Sequence, residues 1–167
     1  MKMIIHDLDQ QEYAAWAEAP QEDVTVISDN GTIRHCTGCF GCWVRTPGVC
    51  VLKDGYQNIG ELFSKCDELM IISKCVYGSY SPFILNVLNR SISYVLPYFS
   101  TQSGETHHRK RYDHQFALSV HFYGEGLTEA EMETARKLVA ANSVNLYSTG
   151  NTVYFHNSLQ AAKEVLA

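Results

Sequence analysis

A chain of 167 residues, 46% hydrophobic and 19% charged, holds enough apolar material for a sizeable core and is read as one domain over residues 1–167. Its net charge of -5 argues against a nucleic-acid partner or an anionic membrane surface. The N-terminus turns polar at His6-Asp7, too soon for a signal peptide, and no apolar run approaches the roughly 18 residues of a membrane helix, so a cytoplasmic location is expected.

In chain order, Met3-Ile4-Ile5-His6 reads as a first strand, and Gln11 to Ala19, with Tyr13, Trp16 and Ala17 at helical spacing, as a first helix. Val24 to Ser28 is a second strand, ending at the turn signal Asp29-Asn30-Gly31.

Next comes a run of cysteines: Cys36, Cys39, Cys42 and Cys50 are four of the chain's six. Glycine stands before Cys39 and again before Cys42, which lets the backbone fold back and neighbouring thiols approach one point. Thiols so placed can hold an iron-sulfur cluster, hold zinc, or exchange between dithiol and disulfide, and spacing does not choose among the three. A reducing cytosol makes a disulfide framework the poorer reading. Cys66 and Cys75, flanking the next strand, read as small buried apolar side chains.

Asp54 to Lys65 carries Ile59, Leu62 and Phe63 on one face and reads as a helix capped near Asp54. Leu69 to Ser73, continuously apolar, predicts a central strand buried on both faces. The loop Tyr77-Gly78-Ser79-Tyr80-Ser81 follows, with Pro82 where a first helical turn accepts proline, and an apolar helix is predicted up to Pro97. Tyr98 to Gln115 has no clear period, includes the basic run His107 to Arg111, and reads as a loop or insertion. Phe116 to Val120 is a fourth strand. Thr128, with Glu131 three residues on, predicts a capped helix to about Asn142; Asn151 to His156 is a fifth strand, and Ser158 to Leu166 a last helix.

Strands alternating with helices imply right-handed crossovers and a parallel sheet covered on both faces. The expected fold class is therefore α/β, built on a five-stranded parallel sheet covered by helices on both faces. Ligands of such sheets sit beyond the carboxyl ends of the strands at the switch point, so the cysteine loop and Tyr77 to Ser81 are expected on one rim.

With Cys36 to Asp54, Tyr77 to Ser81 and Leu88-Asn89-Arg90-Ser91 in place, the chain resembles the flavodoxin-like flavoproteins that group with NADPH-dependent FMN reductases and iron-sulfur flavoproteins. The resemblance covers most of the chain through Tyr112. It implies a flavodoxin-like three-layer sandwich with its five-stranded parallel sheet in order 2-1-3-4-5, assembly as a homodimer or homotetramer, and FMN lying along Tyr77, Gly78, Ser79, Tyr80 and Ser81. It implies electrons taken from NAD(P)H and given to a small-molecule or protein acceptor. In the iron-sulfur members a 4Fe-4S cluster is held by a compact motif whose spacing Cys36, Cys39, Cys42 and Cys50 match. Two other readings stand beside the oxidoreductase: an iron-sulfur electron carrier, and a cofactor-free module that binds a partner.

The sequence departs from that family in the loop after the first strand. Where hydroxyls and glycines would receive the FMN phosphate, this chain has Asp7-Leu8-Asp9-Gln10-Gln11-Glu12. A carboxylate about 5 Å from a phosphate is repelled by roughly 3 kcal/mol per pair of unit charges at an effective dielectric near 20. Asp7, Asp9 and Glu12 are therefore expected to weaken the usual phosphate contact.

Overall fold

The computed structural model describes residues 1–16, 23–102 and 104–166. Its main sheet is formed by β1 (Lys2–His6), β2 (Val24–Ile27), β3 (Glu68–Lys74), β6 (Ala117–Tyr123) and β7 (Gly150–His156), all parallel, in the order β2-β1-β3-β6-β7. The parallel strands are thus in the expected spatial order, that of flavodoxin-like sheets. Only the numbering shifts, because β4 (Val95–Gln102) and β5 (Glu105–Lys110) form a separate antiparallel pair inserted before β6.

The side-chain period of two sorts the strand residues into two cores. Met3, Ile5, Leu69 and Ile71 join Phe63, Ile84, Val87, Ala135 and Val139 in the larger core. That face is covered by α3 (Ile59–Phe63), α4 (Pro82–Arg90) and α5 (Glu129–Asn145). Ile4, Met70 and Ile72 face the other way, against Leu8, Tyr13 and Leu159, beneath α1 (Gln10–Trp16) and α6 (Leu159–Leu166). β3 is paired on both edges and buried from Leu69 to Ser73, which explains its unbroken apolar sequence.

Three elements differ from expectation. The helix placed over Asp54 to Lys65 is only Ile59–Phe63, with Asn58 at its N-cap, because the Asp54 carboxylate is drawn off to Arg90. The helix placed up to Pro97 stops at Arg90 and tightens into a 3-10 turn, Ser91–Tyr94, where the Ser91 hydroxyl donates to the Leu88 carbonyl. Tyr98 to Gln115 is largely the β4–β5 hairpin. No period betrayed it, since the hairpin has no strand face fully buried and apolar alternation needs one. Residues 17–19 of the predicted first helix lie outside the described residues. Among the described residues no helix is long and apolar enough to cross a membrane.

Candidate functional site

β1 ends at His6, and the loop beyond it is closed by its own carboxylates. Asp7 accepts hydrogen bonds from the Lys74 amide at 2.9 Å and from the Tyr123 hydroxyl at 3.0 Å, tying together the ends of β1, β3 and β6. Burial, then the neighbouring Asp7 charge, raises the Tyr123 phenol above its ordinary pKa and keeps it a donor. Asp9 and Glu12 form a reciprocal cap on α1: the Glu12 amide donates to Asp9 at 2.7 Å, and the Asp9 amide to Glu12 at 3.0 Å. The Asp9, Glu12 and Lys74 amides are thus spent on carboxylates, and three acidic side chains where a phosphate would sit make the loop a poor fit for the phosphate half of FMN.

Tyr77 to Ser81 leads from β3 into α4, as the sequence reading placed it, and turns through positive φ at Tyr77 and Gly78. A side chain on Gly78 would meet the Glu131 carbonyl at 2.8 Å, so the loop lies against the start of α5. Tyr77 is 89% exposed, whereas Tyr80 is 1% exposed and its hydroxyl accepts from Asn142 at 3.2 Å. The Ser81 amide donates to the Ser73 hydroxyl at 2.9 Å, and the Ser81 hydroxyl, buried, has no partner among the described residues. The loop beside β3 thus carries an exposed aromatic ring at its start and a buried, unsatisfied hydroxyl at its end.

The cysteines lie elsewhere. Cys36, Cys39, Cys42 and Cys50 all line one cavity of about 600 Å³, closed by Leu88 to Ile92 at the end of α4 and by Asn142, Asn145 and Leu146 at the end of α5. Tyr77 to Ser81 precedes α4 and the cavity wall begins at Leu88, so six helical residues, roughly 9 Å at 1.5 Å per residue, separate the two sets, and within the loop the Tyr80 hydroxyl reaches down to Asn142 of the cavity wall. The expectation that they share a rim is corrected: the chain after β2 leaves the strand ends and descends along α4. Among the described residues no three His, Cys, Asp or Glu side chains are grouped so as to hold a metal ion. The 4Fe-4S cluster that the resemblance implied for Cys36, Cys39, Cys42 and Cys50 is therefore unsupported.

The descent is held by a buried clamp. Arg90, 1% exposed, donates from both terminal nitrogens to the two Asp54 oxygens at 2.7 and 3.0 Å, and also to the Arg34 carbonyl at 2.7 Å and the Leu52 carbonyl at 3.3 Å. These bonds from Arg90 hold the Asp54 carboxyl at a pKa of about 2. Within the loop, α2 (Gly41–Val44) turns Trp43 onto the hairpin, where its indole donates to the Val95 carbonyl at 2.9 Å and its ring packs on Phe40 and His108.

The thiols are not equivalent. Cys36 and Cys39 are exposed, Cys50 is partly covered and Cys42 is buried. The Gly41 amide, then the Thr37 hydroxyl, hold the Cys39 thiol below its ordinary pKa. Burial, then the neighbouring Cys50 and Cys36, push Cys42 above its own. Cys66 and Cys75 are buried as expected, Cys66 pushed up to about 12 by burial. His6 is buried, stacked on Tyr13 and lowered to about 4 by burial, so it is a packed strand terminus. Sequence reasoning missed Arg90, Trp43, His108 and Asn142 as parts of the site. The signal the sequence offered was a lone arginine, Arg90, within an otherwise apolar helical stretch; the others required knowing where the hairpin folds.

No protein-family model matches the chain, and no curated protein matches it in sequence. Its fold is similar to that of the azoreductase AzrA, with TM-score 0.53 and 11% identity over 99% of this chain and 92% of that one. An FMN-dependent NADH-azoreductase from Bacillus anthracis, solved in complex with FMN, gives 0.53 and 9% over 99% of this chain and 94% of that one. A further Bacillus anthracis azoreductase gives 0.52 and 13% over 99% and 92%. At such identities the likeness establishes a shared fold.

Proposed function

We propose that this protein is a flavin-dependent oxidoreductase that takes electrons from NAD(P)H and passes them to a small acceptor, working as a homodimer or homotetramer. What carries the reading is the likeness of nearly the whole chain to a fold that, in a solved NADH-azoreductase, holds FMN. The exposed Tyr77 and unpartnered Ser81 hydroxyl, at the switch point where such sheets place ligands, support a flavin ring there. The closed first loop argues that the ring, rather than the phosphate, provides the affinity. A second reading, a flavodoxin-like module that binds a partner without a cofactor, draws on that same closed loop.

Quenching of flavin fluorescence distinguishes them. Riboflavin, which lacks the phosphate, is expected to bind the wild type at least as tightly as FMN. Replacing Asp7 and Asp9 together by serine removes two negative charges, and FMN affinity is expected to rise by about tenfold or more while riboflavin affinity changes far less. NADH oxidation with flavin and an azo or quinone acceptor then measures turnover. Failure of the wild type to quench either flavin at saturating protein overturns the oxidoreductase and selects the partner-binding module.

A further inference from the structure

We propose that Cys39 and Cys42 form a dithiol–disulfide couple at the cysteine-lined cavity, and that this couple reduces small organic disulfides. Both thiols line the cavity three residues apart, Cys39 just ahead of α2 and exposed, Cys42 within α2 and buried, an asymmetry suited to a nucleophile and a resolving thiol. The Cys39 sulfur folds back over Gly41, 3.4 Å from where a β-carbon there would lie, within reach of the Gly41 amide and the Thr37 hydroxyl. Beside the pair, Phe40, Trp43, Leu88 and Ile92 give the cavity of about 600 Å³ an apolar wall, a size and character suited to a small organic group rather than a peptide chain.

The chemistry balances within this couple. The Cys39 thiolate attacks one sulfur of a substrate disulfide; the substrate S–S bond breaks, one half leaves as a thiolate and takes a proton from water, and a mixed disulfide remains on Cys39. Cys42 then gives its proton to water, attacks the Cys39 sulfur and expels the second half as a thiolate. Two electrons have passed from the thiol pair to the substrate, which leaves as two thiols, and the chain holds a Cys39–Cys42 disulfide. An external dithiol returns it to the starting state; dithiothreitol serves in the assay. The flavin proposed at the far end of α4 takes no part.

The test uses the full chain, reduced and desalted under nitrogen without flavin or nicotinamide, treated with less than one equivalent of dithiobis-nitrobenzoate. Two aromatic thiolates are expected per probe molecule, with the peptide map showing a Cys39–Cys42 link and no retained adduct. Cys42→Ser is expected to stop after one, the adduct staying on Cys39. Cys39→Ser is expected to slow the first release by about tenfold or more, and Thr37→Val by several-fold. Circular dichroism and the thermal midpoint confirm that each variant is folded, and Thr37→Val alters no cysteine. A first adduct on Cys36, an adduct that persists in the wild type, a Cys42–Cys50 link, or protein isolated with iron and sulfide on these thiols would each overturn the proposal. Since no flavin is present, this outcome and that of the flavin titration are independent.

Discussion

Arg90 and Asp54 illustrate what one buried pair does for this molecule: with side chains 0% and 3% exposed, each is the other's only salt-bridge partner among the described residues. Removing one partner strands the other, so Arg90→Ala or Asp54→Ala is expected to cost about 3–5 kcal/mol in urea unfolding, and the double replacement by leucine and methionine much less than the sum. Two acid-sensitive windows follow from individual groups. Burial lowers His6 and His121 from 6.5 to about 4, and His156 in the same direction; His121 and His156 lie 3.1 Å apart. Their folded pKa values lie below the unfolded ones, so the unfolded chain binds more protons; stability present above pH 6.5 is lost as pH falls toward about 4. The Asp54 carboxyl, lowered from 3.8 to about 2, adds a second loss through that lower window. Unfolding midpoints measured against pH are expected to show both steps, with His121→Gln flattening the upper and Asp54→Asn the lower. A curve level between pH 6.5 and 4 would refute the assignment of the upper step to these histidines.

Elements whose ends are decided locally were legible in the sequence. Thr128 and Glu131 cap α5 reciprocally, the Thr128 hydroxyl accepting from the Glu131 amide and the Glu131 carboxylate from the Thr128 amide, because all the needed groups lie within four residues. Thr128→Ala is expected to cost about 1 kcal/mol and lower the thermal midpoint by roughly 2–4 °C. Pro82 likewise opens α4 as expected, behind Ser81. Where α4 ends was not legible, since its apolar period continues through Ile92 to Leu96 while the chain is diverted by Arg90 and by contacts made across α3. At that crossing Gly60 lies so close to the 3-10 turn that a β-carbon would stand 2.3 Å from the Ser93 hydroxyl oxygen and 2.7 Å from the Tyr94 amide nitrogen. Backbone cannot yield there as a side chain can, so Gly60→Ala is expected to cost about 1–3 kcal/mol, read from the urea midpoint. A neutral result would mean that α3 can slide along the turn.

For the whole molecule, burial on both faces and pairing on both edges make β3 the most protected element. Hydrogen exchange followed by mass spectrometry should show peptides over Leu69 to Ser73 exchanging slowest, with β2 and the β4–β5 hairpin fastest. Faster exchange in β3 than in β7 would contradict this order. The sequence alone determined the parallel sheet, the central place of Leu69 to Ile72, the caps of α4 and α5, and the acidic character of the first loop, while the strand order came with the resemblance. Each follows from a period or a cap whose groups are neighbours in the chain. Only the tertiary structure decided that the hairpin exists, that Asp54 serves Arg90 instead of capping α3, and that the cysteines lie at the far end of α4 from Tyr77 to Ser81. The course of a loop depends on partners far along the chain, here a guanidinium 36 residues beyond its carboxylate, and no local period records that pairing.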